Sequence, residues 1–260
     1  MKKRLLACLL TAAMLTSLLP LPALAAPDGQ DGDDLPAEQF NLAPGGTYWF
    51  DLSETGLLDL LANGAVVNAD LPDPSLHWVP FTYAGTVNAY SRELEGVSTD
   101  NDVKPYDHSL FIADYNVIHM VSWKELASPN YDFIFGKYYN SNYVPYHMRS
   151  PSAGSDCDGE RGDPPSNEWD RILDKNPDYI KTLDGIFSWG QDALLKLPQD
   201  MCVVRGYLSA RYWNGADAAT RYADVGFRPV LEPLNIPGSS FADFKVVTLD
   251  LNGGSIGTEK

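Results

Sequence analysis

The residues from which acid–base or metal chemistry would be built are four histidines, three cysteines and 35 carboxylates in a chain of 260 residues. His77, His108, His119 and His147 are scattered, with none three or four places from another. No single helix face can therefore present two of them to a metal ion. There is no H-E-x-x-H run, no G-x-S-x-G nucleophile elbow and no phosphate-cradling glycine loop. The carboxylates offer many pairs for glycoside hydrolysis, but nothing singles one pair out. Catalysis is not expected.

Binding chemistry is better represented. Asp156, Asp158 and Glu160 put three carboxylates within five residues, the oxygen-rich kind of loop that takes Ca²⁺. They are candidate calcium ligands, although full EF-hand spacing is missing and Cys157 between them is no calcium ligand. Cys157 and Cys202 are the candidate partners of one disulfide. From Tyr207 to Asp224 the sequence is rich in Tyr, Trp, Arg, Ser, Asn and Gly. Tyr and Trp offer broad rigid contact area at low entropic cost, and Ser and Asn offer adaptable hydrogen bonds. The expected ligand-binding face is Tyr207, Ser209, Arg211, Tyr212, Trp213, Asn214, Arg221, Tyr222 and Asp224. The stretch shows neither helical periodicity nor strand alternation, so it is expected to be an exposed segment shaped by its flanking strands. The alternative is an ordinary surface loop with its aromatics tucked inward. On the first reading, replacing Tyr212 and Trp213 by alanine removes ligand capture and leaves the fold intact.

The ends say where such a surface would work. Lys2, Lys3 and Arg4 precede an apolar run from Leu5 to Leu19, and Ala23-Leu24-Ala25 supplies a small-x-small cleavage pattern. Residues 1–25 read as a cleavable secretory signal. Its apolar run is shorter than the roughly 20 residues that span a bilayer, so no membrane insertion is expected after cleavage. Cleavage removes three cations and no acid, which deepens the net charge from −16 to −19. That balance argues against nucleic acid and anionic lipid as partners. The expected location is secreted or at the cell surface, with a protein or glycan ligand outside the cell.

Positioning these residues falls to many short strands and few helices. Residues 26–45 read as an acidic flexible leader. Strands are expected at Thr47–Leu52, His77–Tyr83, Thr86–Tyr90, Ser109–Ala113, Met201–Val204 and Gly226–Leu231. Pro80 marks its strand as a sheet edge. Ser122 and Glu125 form a capping box, and Asn167 can cap a helix holding Trp169, Ile172 and Leu173 on one face. Residues 233–243 read as a linker. Residues 244–260 hold an alternating strand and an Asn-Gly turn with no returning strand. The fold class expected is α+β.

Several short motifs carry a family resemblance. Arg205-Gly206, then Val225-Gly226-Phe227-Arg228-Pro229-Val230-Leu231, resembles the "RG" and "GFR" elements of the formylglycine-generating-enzyme (sulfatase-modifying-factor) branch of the C-type lectin fold. Val121-Ser122-Trp123, Met148-Arg149-Ser150-Pro151-Ser152 and Ser188-Trp189-Gly190 are similar to further elements of that branch. The resemblance covers residues 46–232. It implies that Arg205, Gly226, Phe227 and Arg228 are scaffold beside a ligand-facing surface. The sequence looks most like exported gut-bacterial members, including variable proteins diversified by retroelements between "RG" and "GFRP". The tail is similar to the opening strand of an internalin-type β-grasp repeat. Enzymes of the branch use a cysteine pair just after "RG" or a histidine cluster, and neither is found here. The resemblance thus implies a ligand-binding protein. A sulfatase-modifying-type oxidoreductase with a diverged site and a structural adhesin spacer are the alternatives.

Overall fold

A computed structural model describes residues 42–87, 90–91, 103–104, 107–141, 144–156, 167–181, 185–195 and 200–234. The segments expected to be a secretory signal and a β-grasp-like tail, and nearly all of those expected to be an acidic leader and a linker, lie outside the described residues. In chain order the elements are β1 (Thr47–Phe50), α1 (Leu57–Ala62), β2 (Val66–Val67), β3 (Val79–Val87), β4 (Tyr90–Ser91), β5 (Val103–Lys104), β6 (His108–Ala113), β7 (Ile118–His119), α2 (Trp123–Leu126), β8 (Lys137–Ser141) and β9 (Val144–Arg149). A π-helical turn (Trp169–Leu173) and a 3-10 turn (Pro177–Tyr179) follow, then β10 (Phe187–Ala193), β11 (Met201–Arg205), β12 (Trp213–Asp217), β13 (Val225–Phe227) and β14 (Val230–Pro233).

The strands form two six-stranded sheets, ordered β1-β3-β6-β14-β9-β8 and β12-β11-β10-β13-β7-β2, with β4 and β5 paired apart. This corrects the expected α+β class: the described residues are mostly β, and their helices are single or double turns. The capping box at Ser122 is present, with Ser122 Oγ accepting the Glu125 N–H, but it opens only one turn. Asn167 Oδ1 accepts the Asp170 N–H, yet the helix it starts ends after five residues, and Pro177 opens the next turn. Pro80 is also reassigned. It is the second residue of β3, which lies between β1 and β6 and not at an edge. The strands expected at His77–Tyr83 and Thr86–Tyr90 are joined through residues 84–85 in β3, with a bulge where the register to β6 shifts between Tyr83 and Gly85. Gly85 has φ of 89° there, a conformation glycine adopts without a Cβ penalty.

Strand alternation explains the two cores. Phe111 packs with Phe50, Phe81 and Tyr146 in one, while Leu110 and Ile112 on the same strand join the other. Val204 and Val203 divide likewise, as do Leu231 and Val230. Successive side chains point to opposite faces. Both faces are covered, so every residue of β6 is buried. The "GFRPV" motif is where the chain changes sheets. β13 pairs with β10 and β7, and β14, two residues on, pairs with β6 and β9. Buried Arg228 bonds across the joint, from Nε to Ser188 Oγ and from Nη1 to the Ala113 carbonyl (2.6 Å). Burial lowers its guanidinium to about 10 even though Asp114 favours the charge. Gly226 is glycine because a Cβ would lie 2.6 Å from the Ile118 carbonyl oxygen.

A buried ionic cluster ties the first sheet to the π-helical turn. Arg149 donates to Glu168 through Nη1 (2.8 Å) and Nη2 (2.6 Å), and to Glu232 through Nε (3.0 Å) and Nη2 (2.7 Å). Glu168 also bonds His108 Nε2 at 2.8 Å and the Ser152 N–H at 2.9 Å. Burial alone would raise the Glu168 carboxyl, but the Arg149 charge and hydrogen bonds, with His108, hold it well below the usual range.

Candidate functional site

The candidate site is built at one end of the second sheet. β10 begins there, β11 ends, and β12 and β13 begin, because Ser188 pairs with Arg205 and Gly226, and Arg205 with Trp213. The β11–β12 connection turns tightly, with the Tyr212 N–H on the Ser209 carbonyl and the Gly206 N–H on the Tyr212 carbonyl. This turn lays Tyr207 and Tyr212 against Phe187 at the mouth of β10. The Phe187 and Tyr207 rings stack with centroids 4.7 Å apart; Tyr212 lies 5.7 Å from Phe187 and 5.9 Å from Tyr207. Asp224 returns to the same end, where its carbonyl accepts the Phe187 N–H.

Beside the rings is a shallow depression of about 360 Å³ lined by Arg205, Arg211, Tyr212 and Trp213. Arg211, with a side chain 82% exposed, is held upright by Asp174 through two Nε contacts of 2.9 and 3.1 Å. Arg205 is buried over the Trp169 ring. Its Nη1 donates to Asp170 Oδ1 (2.7 Å) and to the Ala153 carbonyl (3.1 Å). Burial lowers its pKa, against the pull of Asp170 and Asp174. The site combines guanidinium donors with aromatic faces, a set suited to gripping a ligand rather than to transferring protons.

The nine expected residues do not form one face. Tyr207, Ser209, Arg211, Tyr212 and Asp224 gather at this end, and Ser209, Arg211, Tyr212 and Asp224 are exposed. Trp213 lies in the rim, yet it is only 7% exposed and belongs to the second core. This burial is at odds with the expectation that its removal leaves the fold intact. Residues 213–217 form an edge strand, not a loop. Their alternation is hidden because Gly215 is pressed against Leu194, whose Cδ1 would sit 2.4 Å from a Cβ. Asn214 Oδ1 accepts the Gly215 N–H, and the Tyr222 hydroxyl accepts the Asp217 N–H. Both side chains thus occupy donors of the edge strand. Arg221 is spent elsewhere: Nε and Nη2 grip the Glu125 carboxylate and Nη1 the Asn63 carbonyl. Glu125 also accepts the Ser122 N–H, so one carboxylate both caps α2 and anchors the β12–β13 connection.

Sequence reasoning missed Phe187, Asp170 and Asp174, and assigned Arg205 to scaffold alone. Only the Tyr207-to-Asp224 composition was visible; Phe187 arrives on β10, and Asp170 and Asp174 arrive with the π-helical turn. Of the calcium candidates, Asp156 is buried, its Oδ1 taking the Leu195 N–H, and Asp158 and Glu160 lie outside the described residues. Among the described residues, no three His, Cys, Asp or Glu are grouped to hold a metal. Cys202 is a buried thiol, pushed up to about 12 by burial and then Asp200, and Cys157 lies outside the described residues. No described helix is long and apolar enough to cross a membrane. No family model, no curated protein and no solved structure matches this chain.

Proposed function

We propose that this chain is an exported ligand-binding protein, secreted or displayed at the cell surface, on a scaffold resembling the sulfatase-modifying-factor branch of C-type lectin folds. The carrying observation is that exposed Arg211 and Tyr212 line one depression, with Tyr212 set against the Phe187–Tyr207 stack. Exposed Tyr and Arg held by rigid neighbours are the hot-spot residues of recognition surfaces, because little side-chain entropy remains to be lost on binding. The net charge of −16 disfavours nucleic acid as the partner.

The test is capture. The chain without its signal is screened against panels of glycans and extracellular proteins, alongside an Arg211→Ala/Tyr212→Ala variant. Ligands held by the parent and lost by the folded variant are expected. Capture indifferent to both substitutions places recognition elsewhere. A reverse transcriptase gene beside a near-identical template of the Tyr207–Asp224 codons would identify this stretch as diversified.

A further inference from the structure

The bonding of the two guanidinium groups limits what the depression takes. Arg211 uses Nε on Asp174, and with a side chain 82% exposed its Nη fork faces solvent. Arg205 also lines the depression. It is 3% exposed, and its buried Nε has no hydrogen-bond partner among the described residues. A buried N–H without an acceptor is unfavourable, and native structures rarely leave one unmet. An acceptor entering over Arg205 would answer it. Carboxylates match guanidinium forks in plane and spacing.

The rest of the lining is aromatic: Tyr212, 46% exposed, and the edge of Trp213. A hydrophobic side chain gains more against such a wall than a hydroxylated ring does. The space, about 360 Å³, is at the small end of ligand sites, so a chain end fits and a folded surface does not. Strand addition to β12 is opposed, because Asn214 and Tyr222 already take its Gly215 and Asp217 N–H groups. A polyanion is opposed by the chain's own charge of −16.

Resting on the binding reading above, the geometry points to a site for the free carboxyl terminus of a peptide whose last side chain is apolar. Arg211 and Arg205 hold the carboxylate, and Tyr212 covers the last side chain.

Fluorescein-labelled octapeptides of random sequence ending in Phe or Leu, as free acids and as amides, are titrated against the chain by anisotropy. Free acids should bind saturably and the amides at least about tenfold more weakly. Arg211→Ala should weaken the free acids about 10- to 100-fold, the loss of charge-assisted hydrogen bonds, with unchanged melting. Arg211→Lys should recover only part, since lysine lacks the fork. Equal binding of acids and amides, or indifference to Arg211→Ala, overturns the inference. Saturable binding of glucuronic acid with no peptide bound also overturns it and turns the site toward acidic sugars. Should both peptide sets fail while Tyr212→Ala still abolishes capture in the ligand panels, this inference falls and the binding reading stands. Should Tyr212→Ala be silent there too, both fall.

Discussion

Tyr212 and Trp213 are neighbours in sequence and opposites in burial, which makes them a sharp pair for substitution. Trp213 is 7% exposed and packs in the second core, while Tyr212 is 46% exposed. Trp213→Ala removes a buried indole and leaves a cavity against the Trp169 layer. Such truncations cost about 3–5 kcal/mol. Tyr212→Ala forfeits ring contacts at 5.7 and 5.9 Å on a half-open surface, worth about 1 kcal/mol. In urea, followed by circular dichroism, Trp213→Ala should lower the midpoint strongly, with Tyr212→Ala close to the parent and slopes alike. For a domain of this size, the first loss corresponds to roughly 2–4 °C of melting temperature per kcal/mol. Equal losses, or a Trp213→Ala cost below about 1 kcal/mol, the size of the Tyr212 ring term, would refute the division of the stretch into a core side and a ligand side.

Glu168→Gln should cost about 3 kcal/mol, because Arg149 and His108 would face a neutral partner in a buried cluster. The same group sets the acid limb of stability. A depressed carboxyl contributes fully above its unfolded pKa of about 4.3 and loses that contribution as pH falls through the folded value. Melting of the parent should therefore fall steeply below about pH 4, and more gently in Glu168→Gln, on the same linkage. Gly226→Ala should cost about 1–3 kcal/mol by forcing the Ile118 carbonyl aside, measured by denaturant midpoint. Cys202, buried and with its thiol raised to about 12, should resist alkylation at pH 8 until the protein unfolds. Labelling followed by peptide mass analysis reads this directly.

Local chemistry was legible in the sequence wherever the signal was itself local. The Ser122–Glu125 capping box and the apolar run of β6 depend on near neighbours, and both are present. The fold class was misread because one-turn helices carry the same caps and apolar spacing as long ones; Pro177 and the polar residues before it stop the π-helical turn early. The site was half legible. Composition flagged Tyr207 to Asp224, but burial within it depends on which strand β12 joins. Trp213 is drawn inward by pairing with Arg205, and Arg221 is taken by Glu125, 96 residues earlier. Neither partner is marked by spacing. The motif residues Gly226 and Arg228 gain a physical account only once the chain is seen to change sheets between them and Val230.

The most direct test is an alanine scan from Tyr207 to Asp224 in which capture of a panel-identified ligand and melting temperature are measured on the same preparations. Arg211→Ala and Tyr212→Ala should abolish capture with melting lowered by no more than about 2–4 °C, while Trp213→Ala, Arg221→Ala and Tyr222→Ala should lower melting first. Capture that tracks melting across the whole stretch, with no variant separating the two, would contradict a recognition surface centred on Arg211 and Tyr212.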